Sequence, residues 1–170
     1  NTGGSHADLT DDYAAIPKEM KSVAEYLGHR YCREARLQEV LDNIANLRST
    51  TGDRSILRAI HFFWENQRVE DQVNALETGN FSRFLQLVNE SGDSSFKWLQ
   101  NCYSTKDLSQ QGLSLALALT ENYVKHIGCG ACRVHGGGFA GSILAFIPNK
   151  NKLDYIDLMK SVFGEKSTGV

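Results

Sequence analysis

The feature that most constrains this sequence is a run of four glycines within six positions, lying between two segments typical of β-strands. The glycines are Gly136, Gly137, Gly138 and Gly141. Glycine reaches positive φ angles and lets another group approach the main chain closely. A loop of this kind can aim several N–H groups at an anion such as a phosphate. The alternative is a flexible hairpin turn, but two residues usually close a hairpin and this loop is longer.

The spacing Gly136-x-Gly138-x-x-Gly141 fits the dinucleotide-binding fingerprint, but its context does not. That fingerprint opens a helix, whereas Ser142–Ile147 is β-branched, aromatic and aliphatic and is stopped by Pro148, as a strand would be. A Walker-type loop is excluded because no Gly-Lys-Ser/Thr follows. Protein-kinase glycine loops do lie between strands, yet the other motifs of those kinases are missing. The pattern therefore predicts a strand, a glycine loop and a second strand.

Composition and charge exclude several classes of partner. The 170 residues include 18 Lys and Arg against 20 Asp and Glu, a net charge of −2. This balance gives no support to general binding of nucleic acid or of a membrane surface. No apolar stretch approaches the roughly 20 residues needed to span a bilayer. The first residues lack a starting Met and the basic region of a signal peptide, as in the interior of a longer protein. We expect a cytoplasmic location and no nucleic-acid or membrane partner.

The four cysteines are expected to be reduced thiols. Cys129 and Cys132 form a single C-x-x-C, whereas a zinc site would need a second pair of ligands. Cys132 is expected to face a core from a strand, as small buried cysteines do. No metal ligand is predicted.

Upstream of the glycine run, most of the chain has the spacing of amphipathic helices. The first predicted helix starts near Pro17 and closes at Gly28, the second carries Leu37 to Ile44, and a long third helix runs from about Arg54 to Glu77. A fourth helix starts after Asn80 and ends at a break over Ser91–Asp93, and a short fifth helix is predicted over 94–103. Residues 1–12 and 49–53 are predicted loops, with Asp53 as a candidate N-cap. The segment Gly112–Ile127 alternates like a strand but also fits a helix face, and its composition and length favour the helix.

Helices therefore dominate, and the strands come late in the chain. A last helix follows Pro148 and ends at Gly164, and residues 165–170 are a candidate strand with no evident partner. No internal repeat or low-complexity tract is present. This order predicts one α+β domain over residues 1–170, with helices packed on one face of a small antiparallel sheet.

The segment Ala131–Gly141 resembles the third motif of the GHMP small-molecule kinases, and most closely that of the galactokinases. The family pattern is Gly-x-Arg-Met-Thr-Gly-Gly-Gly-Phe-Gly-Gly followed by a strand. Here His135 stands in place of the Thr, and Ala140 in place of a Gly. Ala140 is small enough to keep the shape of the loop if its φ is negative, whereas His135 removes any role that needs a hydroxyl at that position.

The opening of the chain is similar to the same family. Asn1–Leu9, with Asp12 and Tyr13, resembles the segment that leads into the C-terminal half of galactokinases. The resemblance extends over both ends and much of the chain, and it is weakest between Ser91 and Gln111. It implies the C-terminal domain of the GHMP fold, which is ferredoxin-like.

The resemblance also implies an activity. Galactokinases transfer the γ-phosphoryl group of MgATP to the C1 hydroxyl of galactose, in a cleft between two domains. The catalytic residues belong to the N-terminal domain, so no catalytic residue is predicted in this chain. ATP and Mg²⁺ are expected to be bound mainly by that N-terminal domain, which is also the expected partner. The chain by itself is expected to be inactive.

Two groups of site residues follow from the resemblance. The nucleotide-binding residues are Gly136, Gly137, Gly138, Phe139, Ala140 and Gly141. Tyr13 is the expected sugar-binding residue, since a phenol offers an apolar ring and one polar tip. Phe139 is expected to pack under the loop rather than stack on adenine. Arg133 could neutralise phosphate charge, or it could point to solvent or to a domain interface.

Other functions remain open at this point. One is a different sugar 1-kinase, acting on galacturonate, arabinose or N-acetylgalactosamine. Another is a galactose-sensing regulator that binds sugar and ATP without turnover. A third is a stand-alone interaction module in which the glycine loop is purely structural.

Overall fold

The computed structural model describes residues 1–3 and 9–169. Its helices are α1 (Thr10–Tyr26), α2 (Leu37–Asp42), α3 (Ile44–Thr51), α4 (Asp53–Glu77), α5 (Phe81–Ser94), α6 (Gly112–Ile127) and α7 (Lys152–Phe163), and its strands are β1 (Ala131–His135) and β2 (Ser142–Phe146). Short 3-10 turns span Cys32–Glu34 and Asn149–Asn151, and a π-helical turn spans Ser95–Leu99. Residues 4–8, part of the Asn1–Leu9 segment that carries the resemblance at the start of the chain, lie outside the described residues. Within the described ranges, no helix has the length and apolar character needed to cross a bilayer.

The two strands pair antiparallel and form the predicted hairpin. Val134 lies opposite Ile143, and the glycine run joins the strands at one end. Because side chains alternate between the faces of a strand, Cys132 and Val134 point to the same side, where they pack against Leu113 and Leu117 of α6. Helix α7 joins α6 on this side, next to β2. The α+β fold, mostly helical with a small antiparallel sheet, is confirmed.

Helix α5 lies along β1. The side-chain oxygen of Asn89 accepts a hydrogen bond of 3.0 Å from the Cys132 N–H, so the helix satisfies part of a strand edge that would otherwise be exposed. At Gly92 a Cβ atom would lie 2.9 Å from the Cys132 carbonyl oxygen. The predicted break at Ser91–Asp93 is therefore wrong: this glycine allows the helix to approach the strand and does not end it.

A second core lies among the helices at the other end of the molecule. Val23 and Ala24 of α1, Leu47 of α3 and Ala59 of α4 are fully buried together. This cluster needs no strand, and it fixes α1 against α4. The first turn of α1 is thereby held in place, which matters for the site described below.

Two predicted boundaries are wrong. Helix α1 begins at Thr10, so Pro17 lies inside it rather than in its first turn. Its first turn holds Asp11 and Asp12, which suit the positive end of a helix dipole. Helix α3 extends to Thr51, so only Gly52 separates it from α4 and the predicted loop over 49–53 is absent.

The candidate N-cap is also misplaced, since Gly52 is the N-cap residue of α4 and Asp53 is its first helical residue. Other predictions are confirmed. Asn80 caps α5 by accepting a 3.0 Å hydrogen bond from the Arg83 N–H. Gly28, with φ of 82°, follows the end of α1. Residues 112–127 form a helix, and α7 ends at Gly164.

Candidate functional site

Three separate segments meet at this site, and one of them is the glycine run itself. We call residues 136–141 the glycine loop and residues 100–106, which lead from the π-helical turn towards α6, the connecting segment. The third segment is the first turn of α1. Ser104 of the connecting segment donates a 2.8 Å hydrogen bond to Asp12 of α1. Lys106 and Asp11 form an ion pair at 2.9 Å, and this contact lowers the pKa of the Asp11 carboxyl.

The glycine loop needs its glycines for two different reasons. Gly136, Gly138 and Gly141 have φ angles of 72°, 84° and 96°, which other residues rarely adopt. At Gly137 the limit is space, because a Cβ atom would lie 2.7 Å from Cε1 of Tyr13. Gly138 has both limits, since a Cβ atom there would lie 2.1 Å from the carbonyl oxygen of Asn101.

Tyr13 lies directly against the glycine loop. Its hydroxyl donates a 2.7 Å hydrogen bond to the Gly138 carbonyl oxygen, and its ring meets the Phe139 ring edge to face, with the centroids 5.3 Å apart. Burial, together with the nearby Asp12 carboxylate, raises the pKa of the Tyr13 phenol. The hydroxyl therefore keeps its proton at neutral pH and remains a donor. Phe139 is 6% exposed, which confirms the expectation that it packs under the loop.

Asn101 contacts the loop on both sides of Gly138. Its carbonyl oxygen accepts a 2.5 Å hydrogen bond from the Phe139 N–H, and its side-chain nitrogen donates a 3.1 Å bond to the Gly137 carbonyl oxygen. The residue is 2% exposed. Sequence reasoning missed it: it lies where the resemblance is weakest, and nothing local predicts a contact 36 residues further along the chain.

The end of the loop is held by the first residues of the chain. The backbone N–H and the hydroxyl of Thr2 both donate to the Gly141 carbonyl oxygen, at 2.7 Å and 3.0 Å. Three loop carbonyls thus accept hydrogen bonds from other segments. Among the loop donors, the N–H groups of Phe139 and Ala140 are bonded within the described structure, whereas no described residue accepts from those of Gly136 and Gly137. Gly136 and Gly137 are exposed, and N–H groups without an internal acceptor are what a phosphate-binding loop requires.

A cleft of about 390 Å³ opens beside the loop. Phe139 and Ala140 form one side of it, while Thr2, Ser104 and Lys106 contribute polar groups. This volume lies within the range of small-molecule sites.

The described residues do not supply a metal centre. No group of three or more His, Cys, Asp or Glu side chains within residues 1–3 and 9–169 is placed to hold an ion. Two described carboxylates on the first turn of α1 are engaged with the connecting segment, Asp11 with Lys106 and Asp12 with Ser104.

The strand before the loop places its polar residues elsewhere. The Arg133 guanidinium lies 3.4 Å from the Glu65 carboxylate of α4 and also donates to the Val134 carbonyl. Arg133 thus ties the hairpin to α4. His135 is exposed at the end of β1, opposite Ser142.

Comparison with known proteins shows which proteins the chain is similar to. No protein-family model matches the chain. It is 26% identical over all 170 residues to a galactokinase of Mannheimia succiniciproducens and 25% identical to one of Actinobacillus pleuropneumoniae, and covers 41% of each. The chain is similar to the C-terminal part of galactokinases. It spans about two-fifths of the length of these curated relatives.

A solved structure shows the same fold. Lactococcus lactis galactokinase, crystallised with galactose, matches 97% of this chain and is covered over 40% of its own length, with a TM-score of 0.70 and 22% identity. The resemblance predicted from the glycine loop is therefore confirmed. The structure brings Tyr13 and the loop together, while their roles in binding sugar and nucleotide stay predictions.

Proposed function

We propose that this chain is the C-terminal domain of a galactokinase, which transfers the γ-phosphoryl group of ATP to the C1 hydroxyl of galactose. The match to galactokinases over the whole chain supports the family. The observation that carries the proposal is the hydrogen bonding of the glycine loop: three of its carbonyls accept from other segments, while the N–H groups of the exposed residues Gly136 and Gly137 have no described acceptor. Such donors suit an anionic phosphate.

The proposal assigns the loop to the nucleotide and Tyr13 to the sugar. The nucleotide-binding residues are Gly136, Gly137, Gly138, Phe139, Ala140 and Gly141. The Tyr13 hydroxyl donates a hydrogen bond to the Gly138 carbonyl, and a phenol beside the loop offers a sugar one apolar ring and one polar tip. In this proposal one phenol touches the sugar and also fixes the loop that faces the nucleotide.

Catalysis is assigned to the complete protein. Phosphoryl transfer depends on positioning and on neutralising the charge of the transferred group. The described residues offer loop donors but no cluster of three or more metal-ligating side chains, and the proposal assigns most of the metal binding and the catalytic residues to an N-terminal domain that contacts this one. The chain alone is then inactive. The proposal includes a cytoplasmic location, where reduced thiols such as these four cysteines persist.

The test is a substrate panel with the complete protein. ATP is supplied with galactose, galacturonate, arabinose or N-acetylgalactosamine, and the phosphorylated product is identified. Galactose 1-phosphate as the main product supports the proposal. Phosphorylation of another sugar would assign a different sugar 1-kinase, and binding of galactose and ATP without turnover would assign a sensor. Turnover by residues 1–170 alone would contradict the assignment of the catalytic residues to an N-terminal domain.

A further inference from the structure

Two residues with unusual backbone angles lie next to the hydrogen bond between the connecting segment and the glycine loop. Gln100 and Phe139 both have φ of 57°, and they are the only non-glycine residues with positive φ in the described ranges. Left-handed geometry is rare for a bulky aromatic residue and persists only where the surroundings enforce it. Asn101 follows Gln100 in the chain, and its carbonyl accepts the N–H of Phe139. The strained positions are therefore joined through Asn101.

The connecting segment that carries Asn101 is itself anchored. The Gln100 N–H donates to Ser95 at 2.8 Å, closing the π-helical turn. The preceding residue, Leu99, accepts a 3.0 Å hydrogen bond from the Arg58 guanidinium. Arg58 is 2% exposed and is paired at 2.9 Å with Glu19 of α1. Asn101 is thus presented from a fixed backbone, so its bonds can impose a geometry on the glycine loop.

The Asn101 side chain makes a single hydrogen bond within the described structure. Its nitrogen donates to Gly137, whereas its oxygen is buried and has no partner among the described residues. Exchanging the two atoms would bring two oxygens together at Gly137. The amide nitrogen is therefore the working group of this side chain.

We propose that Asn101 is a positioning residue for the nucleotide, holding the glycine loop in the geometry that turns the Gly136 and Gly137 N–H groups towards phosphate. The inference rests on the proposed function, since it names a residue that prepares the same site. Without the bond to Gly137, part of the binding energy of ATP would be spent on ordering the loop. The affinity for the nucleotide would fall, while that for the sugar would change little.

The test uses two variants at Asn101 and a matched control. Asn101→Ala removes the bond, and Asn101→Asp keeps the shape but places an acceptor against the Gly137 carbonyl. The control is Asn89→Ala, which removes a bond of similar length that an asparagine side chain accepts from the backbone of β1, outside the loop. In the complete protein we expect the KM for ATP to rise about fivefold in Asn101→Ala, the scale of one hydrogen bond. The rise should be larger in Asn101→Asp, with the KM for galactose changed less than about twofold.

A carboxylate at this buried position also carries a desolvation cost, so Asn101→Asp is compared with Asn101→Ala by the KM for ATP of the folded protein and not by stability. Loss of packing alone would lower stability and change the KM values for ATP and galactose alike. Asn89→Ala should leave both KM values unchanged. A rise in the KM for ATP in the control equal to that of Asn101→Ala, or a milder effect of Asp than of Ala, would overturn the inference. Thermal unfolding identifies a variant that fails to fold. If Asn101→Asp fails to fold, the comparison of Asn101→Ala with Asn89→Ala still decides the inference.

A second readout does not depend on catalysis. The Phe139 and Ala140 amides donate to described backbone acceptors, so their hydrogen exchange reports on the geometry of the loop. Followed by mass spectrometry on peptides that cover these two residues, it should be about tenfold faster in the Asn101 variants than in Asn89→Ala. If the wild-type protein phosphorylates no sugar, the proposed function fails while the exchange measurement still tests the loop. Equal exchange in all variants would overturn the role of Asn101 even in an active galactokinase.

Discussion

The paired strands and the glycine loop of the β1–β2 hairpin are held by different interactions. Its body, meaning β1 and β2 themselves, is fixed by apolar contacts, with Cys132 and Val134 buried against α6. The glycine loop is fixed by hydrogen bonds from Thr2, Tyr13 and Asn101, which come from three distant parts of the chain. Burial is non-directional and tolerates small shifts, whereas hydrogen bonds set a specific geometry. The body therefore contributes mainly to the stability of the fold, and the hydrogen bonds of the loop fix its backbone geometry.

This difference predicts how substitutions should separate. Changes in the body should lower the free energy of unfolding and leave the kinetics of the folded fraction intact. Changes in the loop should alter ligand binding more than stability. The predictions below test that separation in the complete protein, beginning with the largest effect.

Gly138→Ala should have the largest effect. The new Cβ would lie 2.1 Å from the Asn101 carbonyl oxygen, a backbone atom that cannot rotate away, so the loop must move. A displacement of about 1 Å in a catalytic site can cost about a hundredfold in rate. We expect a loss of about this size in kcat/KM for ATP, measured by steady-state kinetics.

The control for this variant is Gly128→Ala, at the end of α6. Gly128 has a similar φ of 73°, but nothing lies within 4 Å of its Cβ position. The substitution carries the same backbone strain without the collision, so it should cost only about 1–2 kcal/mol of stability. Similar kinetic losses in both variants would show that strain, and not contact with Asn101, explains the effect.

Val134→Ala tests the body of the hairpin. Removing two buried methyl groups next to Leu113 and Leu117 should lower the free energy of unfolding by about 2 kcal/mol. The KM values for ATP and galactose should stay unchanged, because the glycine loop is held by other groups. Urea unfolding measures the first quantity, and Val69→Ala, at an exposed position on α4, is the control. A changed KM for ATP would mean that loop and body are mechanically coupled.

Sequence reasoning was most successful where one local pattern decides the outcome. The hairpin, the glycine loop, the cap at Asn80 and the helix over 112–127 all follow from residues that lie next to one another. It failed where a distant partner decides. Gly92 looked like a helix end because its neighbour, the Cys132 carbonyl, is 40 positions away in the sequence.

The site shows the same division. The loop residues and Tyr13 could be selected from the motif and the resemblance. Asn101 and Thr2 could not, because their importance comes from backbone carbonyls that they bond across the fold. Backbone acceptors have no side-chain identity, so no pattern of residue types predicts which polar side chain reaches them.

Tyr13→Phe should have a smaller effect than the changes above. It keeps the ring against Phe139 but removes the hydroxyl that donates to Gly138 and, in the proposed function, contacts the sugar. We expect kcat/KM for galactose to fall about fivefold, the scale of one hydrogen bond. Tyr123→Phe is the matched control, since Tyr123 also donates to a backbone carbonyl, that of Asn151, but far from the loop. An equal loss in the two variants would contradict a role for Tyr13 in binding galactose.

The last prediction is that Gly138→Ala leaves the reactivity of the buried thiols unchanged. Burial raises the pKa of Cys132 and of Cys102 to about 12. At pH 8 both therefore stay protonated and unreactive, because the thiolate is the nucleophile. Cys129 is exposed and should be alkylated quickly by iodoacetamide, with the site identified by peptide mass mapping. If the body is independent of the loop, Gly138→Ala should leave Cys132 protected although activity is lost. Alkylation of Cys132 in Gly138→Ala, but not in Gly128→Ala, would show that the loop also clamps the strands beneath it.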